Sequence, residues 1–397
     1  MREVQTEKEY KDVKSNSLVF KAKREEHFNT KNTLSVLQRA IDTAESIDYP
    51  NRYNLLEIYF DIIKDAHLDS VVKHRKTRVK GLEYAVIKQN GTIDTKATQV
   101  FKEAWFSKFL NYTLDAIFYG NSLVEVFNNK GLDCVLIPRE NVIPEFQEIK
   151  YWPSSQNGDI DYSAPIYSKR LVDINNANDN RNLGEYLSVS KLVLLKTEAL
   201  LNWSQHVELF GQPIRIATTD TQDPVEHQAI LKYLAELGRS GYLVKNSATE
   251  IEFQSDENKG DSSKMYLEFE KFVNEEISKK ILGGTMITDS GSSRSQSEVH
   301  LKGSYLYTKE DIAFVERVIN NQLLPVLRNM GIISAKGVMF KFREPEILTV
   351  DEKIKVDEFL LKHFDVKDIT YFNERYGAEL EYKENIVIDN VSNESND

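Results

Sequence analysis

A glycine pair followed by a hydroxyl-rich run, ILGGTMITDSGSSRSQSEVH at residues 281 to 300, is the stretch of this sequence best suited to touch phosphate. Glycines let backbone N–H groups approach an anion, and Ser and Thr hydroxyls add further donors. A nucleotide-binding loop of this kind also needs a Lys-Ser or Lys-Thr pair after the glycines and a hydrophobic strand before them. Neither is present, and the spacing ahead of Gly283 is helical. Gly283 and Gly284 then read as a helix stop, because glycine takes the left-handed conformation that closes a last turn. Ser295 and Glu298 have the spacing of a capping box that opens the next helix. The segment is therefore expected to be a loop between two helices, either a plain connector or one that projects into a shared space.

Other chemistries find little support. The seven histidines, at 27, 67, 74, 206, 227, 300 and 363, include no His-Glu-x-x-His pair and no cluster at metal-ligand spacing. His67 and His74 share a helix face, where packing or solvent contact is the ordinary role of such a pair. No Gly-x-Ser-x-Gly elbow occurs. The basic run KHRKTRVK, Lys73 to Lys80, offers charge to a phosphate backbone, but it equally suits the C-terminal end of a helix, whose dipole favours cations. Trp105 and Trp203 sit among apolar residues at helical spacing and read as packing residues rather than base-stacking platforms. No catalytic constellation, metal site or cofactor is implied.

Charge narrows the partners. With 51 Lys plus Arg against 62 Asp plus Glu, the 397-residue chain has a formal charge of -11, which disfavours a broad basic clamp on nucleic acid. A net negative wall suits a passage through which a polyanion slides, because each fixed phosphate contact adds affinity that movement must break. The single cysteine, Cys134, can form no intrachain disulfide, which fits a reducing compartment. The start, MREVQTEKEYKDVKSN, lacks the apolar segment of a secretory signal, and no later run approaches the roughly 20 apolar residues of a membrane span. No membrane partner is expected.

The elements that would position the loop can be read from periodicity. Residues 1 to 32 form a charged, nearly aperiodic arm. Helices are expected from Thr33 to Ile47, from Tyr53 to Val72 and over FKEAWFSKFLNYTLDAIFY, which Gly120 stops. GLEYAVIKQNGT reads as a strand and turn, and SLVEVF, DCVLIP and KLVLLK as strands, giving an α+β body over 33 to 198. A helix from 199 to 210 halts at Gly211 to Pro213. A small insert follows, with IRIATT, YLVKN and TEIEFQ as strands and Pro224 to Leu237 as a helix. The helix from Ser263 to Leu282 leads into the glycines, and a long pattern from Ser297 to Arg328 leaves them, with Pro325 expected to kink or end its last turn. VMFKFR is a strand, Val350 to Phe364 a final amphipathic helix, and NIVIDNVSNESND an acidic tail.

Four segments, FYGNSLVEVF at 118 to 127, WSQHVELFGQPIRI at 203 to 216, ILGGTMITDSGSSRSQSEVH and NQLLPVLRNMG at 321 to 331, resemble in order and spacing the Mu-like portal proteins of tailed bacteriophages. The resemblance spans about 35 to 345. It departs where family members carry Gly-Gly-Ser before the second helix and this chain has Ser-Ser-Arg-Ser, and the arm and acidic tail have no counterpart.

What the resemblance implies is a portal-type fold with an α/β wing, a helical stem and a small α/β clip. Twelve such subunits would ring one capsid vertex, a channel for packaging and ejection of double-stranded DNA with no catalysis of its own. Terminase, the major capsid protein and head-tail connector proteins are the implied partners, with the host cytoplasm as the place of assembly. By this resemblance 1–32 is an arm, 33–198 the wing, 199–212 a stem helix, 213–260 the clip and 261–282 the returning stem helix. The tunnel loop is 283–296, 297–345 the long helix and a wing strand, and 346–397 a small crown with the tail. Tunnel-loop residues would be Gly283, Gly284, Thr285, Asp289, Ser290, Gly291, Ser292 and Ser293, and Arg294, Lys302, Lys279 and Lys280 would lie near DNA. Another phage connector protein, or a nucleotide-acting α/β enzyme, is the alternative.

Overall fold

A computed structural model describes residues 33–129, 131–150, 159–175, 180–210, 215–219, 223–236, 242–245, 259–285, 294–333, 337–343, 350–363 and 372. The chain divides into two units, Met1–Arg343 and Glu344–Asp397.

Three helices open the first unit: α1 (Leu34–Ala44), α2 (Tyr53–Ile62) and α3 (Ala66–Lys80). The apolar spacing from Tyr53 to Val72 predicts one helix, but the chain breaks it at Ile63 to Asp65. Asp65 turns its carboxylate onto the backbone N–H of Leu68 at 2.9 Å, and this N-cap starts α3 afresh. After α3 come β1 (Tyr84–Ile87), α4 (Thr95–Phe101) and α5 (Ala104–Tyr119), a helix that buries Trp105, Phe106, Phe109, Leu110 and Ile117. Trp105 is a core residue, its indole N–H donated to Val100 O at 3.0 Å. Gly120 ends α5 with φ +89, and its N–H returns to Ala116 O.

Strands β2 (Asn121–Asn128) and β3 (Leu132–Leu136) follow as an antiparallel pair. Short strands β4 (Val142–Ile143), β5 (Glu148–Ile149) and β6 (Ile160–Asp161) make a separate antiparallel sheet. After a one-turn α6 (Pro165–Ser168), β7 (Leu171–Asn175) pairs with the other edge of β2, giving the order β3-β2-β7. Central β2 is buried on both faces from Asn121 to Val126, so it shows none of the alternation of a half-exposed strand.

The next element overturns an expectation. KLVLLK is not a strand but part of α7, one continuous helix over Tyr186–Phe210. Six residues rich in Val and Leu look β-like in isolation, yet the buried positions Tyr186, Val189, Ser190, Val193 and Lys196 recur at three and four. Two of those five are polar, which hides the period. Tyr186, Val193, Leu200 and Val207 form a stripe of sevenfold spacing along α7. Its first two members are buried, whereas Leu200 and Val207 are 39% and 46% exposed.

An insert follows, β8 (Arg215–Thr218), α8 (Pro224–Glu236) and β9 (Tyr242–Lys245), with β8 and β9 parallel as a helix crossover requires. The expected strand TEIEFQ lies outside the described residues. Helix α9 (Lys259–Leu282) then runs antiparallel to α7, since Lys196 meets Asn274 while Asn202 and Met265 line one groove farther along. Among the described residues, α7 buries side chains only up to Lys196 and α9 only from Val273 onward. The outer halves of both helices therefore leave the core together.

The chain resumes in α10 (Arg294–Val318), passes through a π-helical turn at Ile319–Leu323 and ends in α11 (Leu324–Asn329). Helix α10 is already running at Arg294, so Ser295 lies inside its first turn and does not cap it. Serine's capping preference cannot choose between Ser295 and the neighbouring serines. Pro325 has no N–H to give, and the wide turn just before it carries Leu324 N–H back to Ile319 O instead. That turn also aims Asn320 at β10 (Met339–Phe342), where it bonds Phe340 through both N–H and C=O, at 2.7 and 2.9 Å. Strand β10 pairs antiparallel with β1, and Tyr84, Phe101, Phe106, Phe340 and Phe342 interlock there. The second unit contains α12 (Val350–His363).

Candidate functional site

The junction where α9 ends and α10 begins holds the residues singled out by sequence. Gly283 adopts φ +76 and donates to Lys279 O at 3.0 Å, the left-handed stop expected of it. Gly284 and Thr285 follow, half-buried. Asp289, Ser290, Gly291, Ser292 and Ser293 lie outside the described residues. Arg294 opens α10 and Lys302 lies on the same helix, a little over two turns farther on.

The remaining two candidate cations are both paired. Lys279 bonds Glu276 on its own helix at 2.7 Å, and Lys280 reaches Glu185, just ahead of α7, at 2.6 Å. Neither stands as a bare charge, so each would have to exchange a carboxylate for a phosphate to hold one.

Beneath this junction lies a buried cation. Arg75, on α3, is 5% exposed, and Asp311, on α10, is 3% exposed. The guanidinium donates from Nε and Nη2 to the two Asp311 oxygens, each at 2.8 Å, and from Nη1 to Ile281 O in the last turn of α9 at 3.1 Å. It also lies 4.9 Å from the Tyr307 ring centroid and 5.7 Å from that of Phe118. Burial holds the Asp311 carboxyl above the usual carboxylate range, and the Arg75 hydrogen bonds pull it back.

A second polar cluster stitches the inner ends of the same helices. Lys196 of α7, 6% exposed at its side chain, binds Asp65 at 2.7 Å and Asn274 of α9 at 2.8 Å. His67 of α3 meets Ser278 Oγ of α9 at 2.8 Å, and burial depresses its pKa. Burial also lowers the pKa of His74, which accepts from Arg78 Nε.

The cations of the basic run 73–80 each have a partner within the chain. Lys73 pairs with Asp69, Arg75 with Asp311, Lys76 with Asp115, Arg78 with His74, and Lys80 with Asn111. Sequence reasoning missed Arg75, Lys196 and Asp311, though a signal existed. Arg75 falls in phase with Leu68, Val71, Val72 and Val79, Lys196 with Val189 and Val193, and Asp311 with Ile312, Val315 and Val318. A charge on an apolar stripe is buried and must be paired.

Two side chains outside the junction matter less. Cys134 is buried, its thiol pushed up to about 12 by that burial, so it is unreactive in the folded chain. The Trp203 indole N–H is buried and meets no hydrogen-bond acceptor among the described residues.

Along the outer halves of α7 and α9 runs a groove of about 390 Å3 lined by Leu195, Ala199, Asn202, Met265 and Phe269 among others. Met265 in this lining and Phe272 on the same helix are 63% and 53% exposed. Among the described residues, no three His, Cys, Asp or Glu side chains are placed to share a metal ion, and no helix is long and apolar enough to cross a membrane.

A family model described as the portal protein of Mu bacteriophage matches residues 56–378. No curated protein matches the sequence. Among solved structures, a chain from the "Neck of native GTA particle computed with C12 symmetry" aligns with a TM-score of 0.47 at 8% identity, covering 87% of this chain and 99% of that one. A chain from the "Neck of empty GTA particle computed with C6 symmetry" aligns with a TM-score of 0.43 at 10% identity, covering 90% and 96%.

Proposed function

Because the chain belongs to the family of Mu bacteriophage portal proteins, we propose that it is the repeating subunit of a ring of about twelve at one capsid vertex, whose channel passes double-stranded DNA inward during packaging and outward at ejection. It is a structural protein of the portal vertex, joining head to tail. The reading gives it no catalysis and places its assembly in the host cytoplasm. Terminase, the major capsid protein and the head-tail connector proteins would be its neighbours.

The observation that carries this reading is the family match over residues 56–378. The fold suits it: α7 and α9 leave the core as an antiparallel pair and carry the β8-α8-β9 unit between them. In the proposal the pair is the stem, entered at Tyr186 because α7 is one helix, and 213–260 is the clip. Residues 33 to about 185 are then the wing, 283–296 the tunnel loop, 297–345 the long helix with its wing strand, and 346–397 a small crown. The bare apolar faces of α7 and α9 would meet neighbouring subunits, burying surface that a single chain leaves in water.

Lys279, Lys280, Arg294 and Lys302 are proposed to lie near DNA. The first two are masked by carboxylates, which fits transient rather than fixed phosphate contact. A complex in which all four stand beyond about 10 Å, one Debye length, from DNA would remove them from the channel.

Imaging tests the whole reading. Purified chain should form rings with a central hole, and a tagged copy should mark one vertex per particle. A tag spread over the capsid surface, or ATP hydrolysis by a chain that stays monomeric, would overturn it.

A further inference from the structure

The 283–293 segment joins α9 to α10 in sequence, yet a residue that bonds to both helices comes from neither. Arg75 belongs to α3, and its one guanidinium touches Ile281 O in the last turn of α9 and both carboxylate oxygens of Asp311 on α10. We propose that Arg75 is a positioning residue for the channel, fixing where the chain leaves α9 relative to where it returns along α10. This rests on the portal reading.

The chemistry requires arginine. A planar fork of five N–H donors can satisfy a bidentate carboxylate and a separate carbonyl at once, whereas a lysine ammonium is a point charge that cannot span both. Position matters as much. The last carbonyls of α9 carry the negative end of the helix dipole, and Ile281 is wholly buried, so its C=O has no water to turn to. Arg75 therefore neutralises two negative groups, a helix end and a side chain, that otherwise repel one another. Its planar face is closed in by Tyr307 and Phe118, which hold the fork in one orientation.

The same helix is tied at its other end. Asp65, the cap of α3, binds Lys196 of α7, and Lys196 in turn binds Asn274 of α9. Helix α3 is thus a fixed strut to which the α7–α9 pair and α10 are both fastened. A force along the stem, such as DNA drag, has a route to α10 through Arg75.

The test separates positioning from packing. Replacing the pair by apolar groups, Arg75→Met with Asp311→Val, removes both charges and stays close to the original volume, a change that buried ion pairs often tolerate without loss of stability. It nevertheless leaves Ile281 O without its donor. In full-length chain assembled into particles, the thermal midpoint should fall by no more than a few degrees, the cost of one unpaired carbonyl. Hydrogen exchange at Gly283, which reports the last turn of α9, should quicken roughly tenfold. The fraction of DNA-filled particles should fall. Should the double variant fail to fold, Arg75→Lys, which keeps the charge and loses the fork, carries the same comparison.

Wild-type exchange at Gly283 in either variant would overturn the proposal. Quickened exchange with normal DNA filling would overturn the part that concerns the channel and leave the portal reading intact. Wild-type chain that forms no ring would instead defeat the portal reading, whatever Arg75 does.

Discussion

Gly120 and Gly184 meet backbone to backbone where α5 ends and the approach to α7 begins, and replacing Gly184 with alanine should cripple the fold. A Cβ at Gly184 would stand 2.2 Å from Phe118 O and 2.4 Å from Gly120 N, contacts that no side chain can relieve by rotating away. Its φ of +81 adds the ordinary penalty of a left-handed non-glycine residue, about 1–2 kcal/mol. Opening more than an ångström of space would separate Glu185 N from Ile117 O, now at 3.1 Å, and disturb the packing of Tyr186 on Phe118 and Tyr119. Overpacking of about 1–3 kcal/mol and the lost hydrogen bond bring the expected cost to about 3–6 kcal/mol.

Gly331 supplies the control. It caps α11 at φ +74, nearly the same conformation, but a Cβ there meets nothing within 4 Å among the described residues. Gly331→Ala should therefore cost only the backbone penalty, about 1–2 kcal/mol. Urea midpoints followed by tryptophan fluorescence, to which buried Trp105 contributes, and by circular dichroism would measure both variants. Equal destabilisation by the two alanines would refute the reasoning, since only the crowding differs.

Lys196→Met should cost about 2–4 kcal/mol, somewhat less than a wholly buried pair, because Asp65 keeps Leu68 N as a donor and retains some exposure. Adding Asp65→Asn, which preserves the cap and removes the bare charge, should recover most of that loss in the same urea assay. His67 and His74 have pKa values lowered by burial, so below about pH 6.5 the unfolded chain takes up protons that the folded chain refuses. Stability should fall as pH drops from about 6.5 toward the folded values and level off below them. His67→Gln should remove up to one proton from that slope, measured by denaturation across pH.

Much of the fold was legible from the sequence, and the losses have physical causes. The helix expected over 101–119, which the structure begins at Ala104 after a break behind Phe101, and the stops at Gly120 and Gly283 declared themselves, because amphipathic spacing and left-handed glycine are local properties. So did the β8-α8-β9 insert. KLVLLK misled because a buried helix and a buried strand share composition over six residues, and only the longer window through Tyr186 separates them. The break at Ile63 to Asp65 was hidden because the apolar spacing runs straight across it. Of the junction, the glycine stop could be read. The partners beneath it could not, since the Arg75–Asp311 contact joins residues 236 positions apart.

The stripe of Tyr186, Val193, Leu200 and Val207 makes one helix keep time for two processes. Its lower beats seal this chain's own interior and its upper beats face outward, so the phase of a single helix sets the direction in which the outer surface points. A residue inserted between Lys196 and Leu200 would swing everything above it by about 100° while leaving the body untouched. Seven inserted residues would lengthen the helix and return the surface nearly to its bearing. Length along this helix is therefore free to change without turning its outer face only by close to whole numbers of turns, such as seven or eleven residues, because angle and length are written in the same residues.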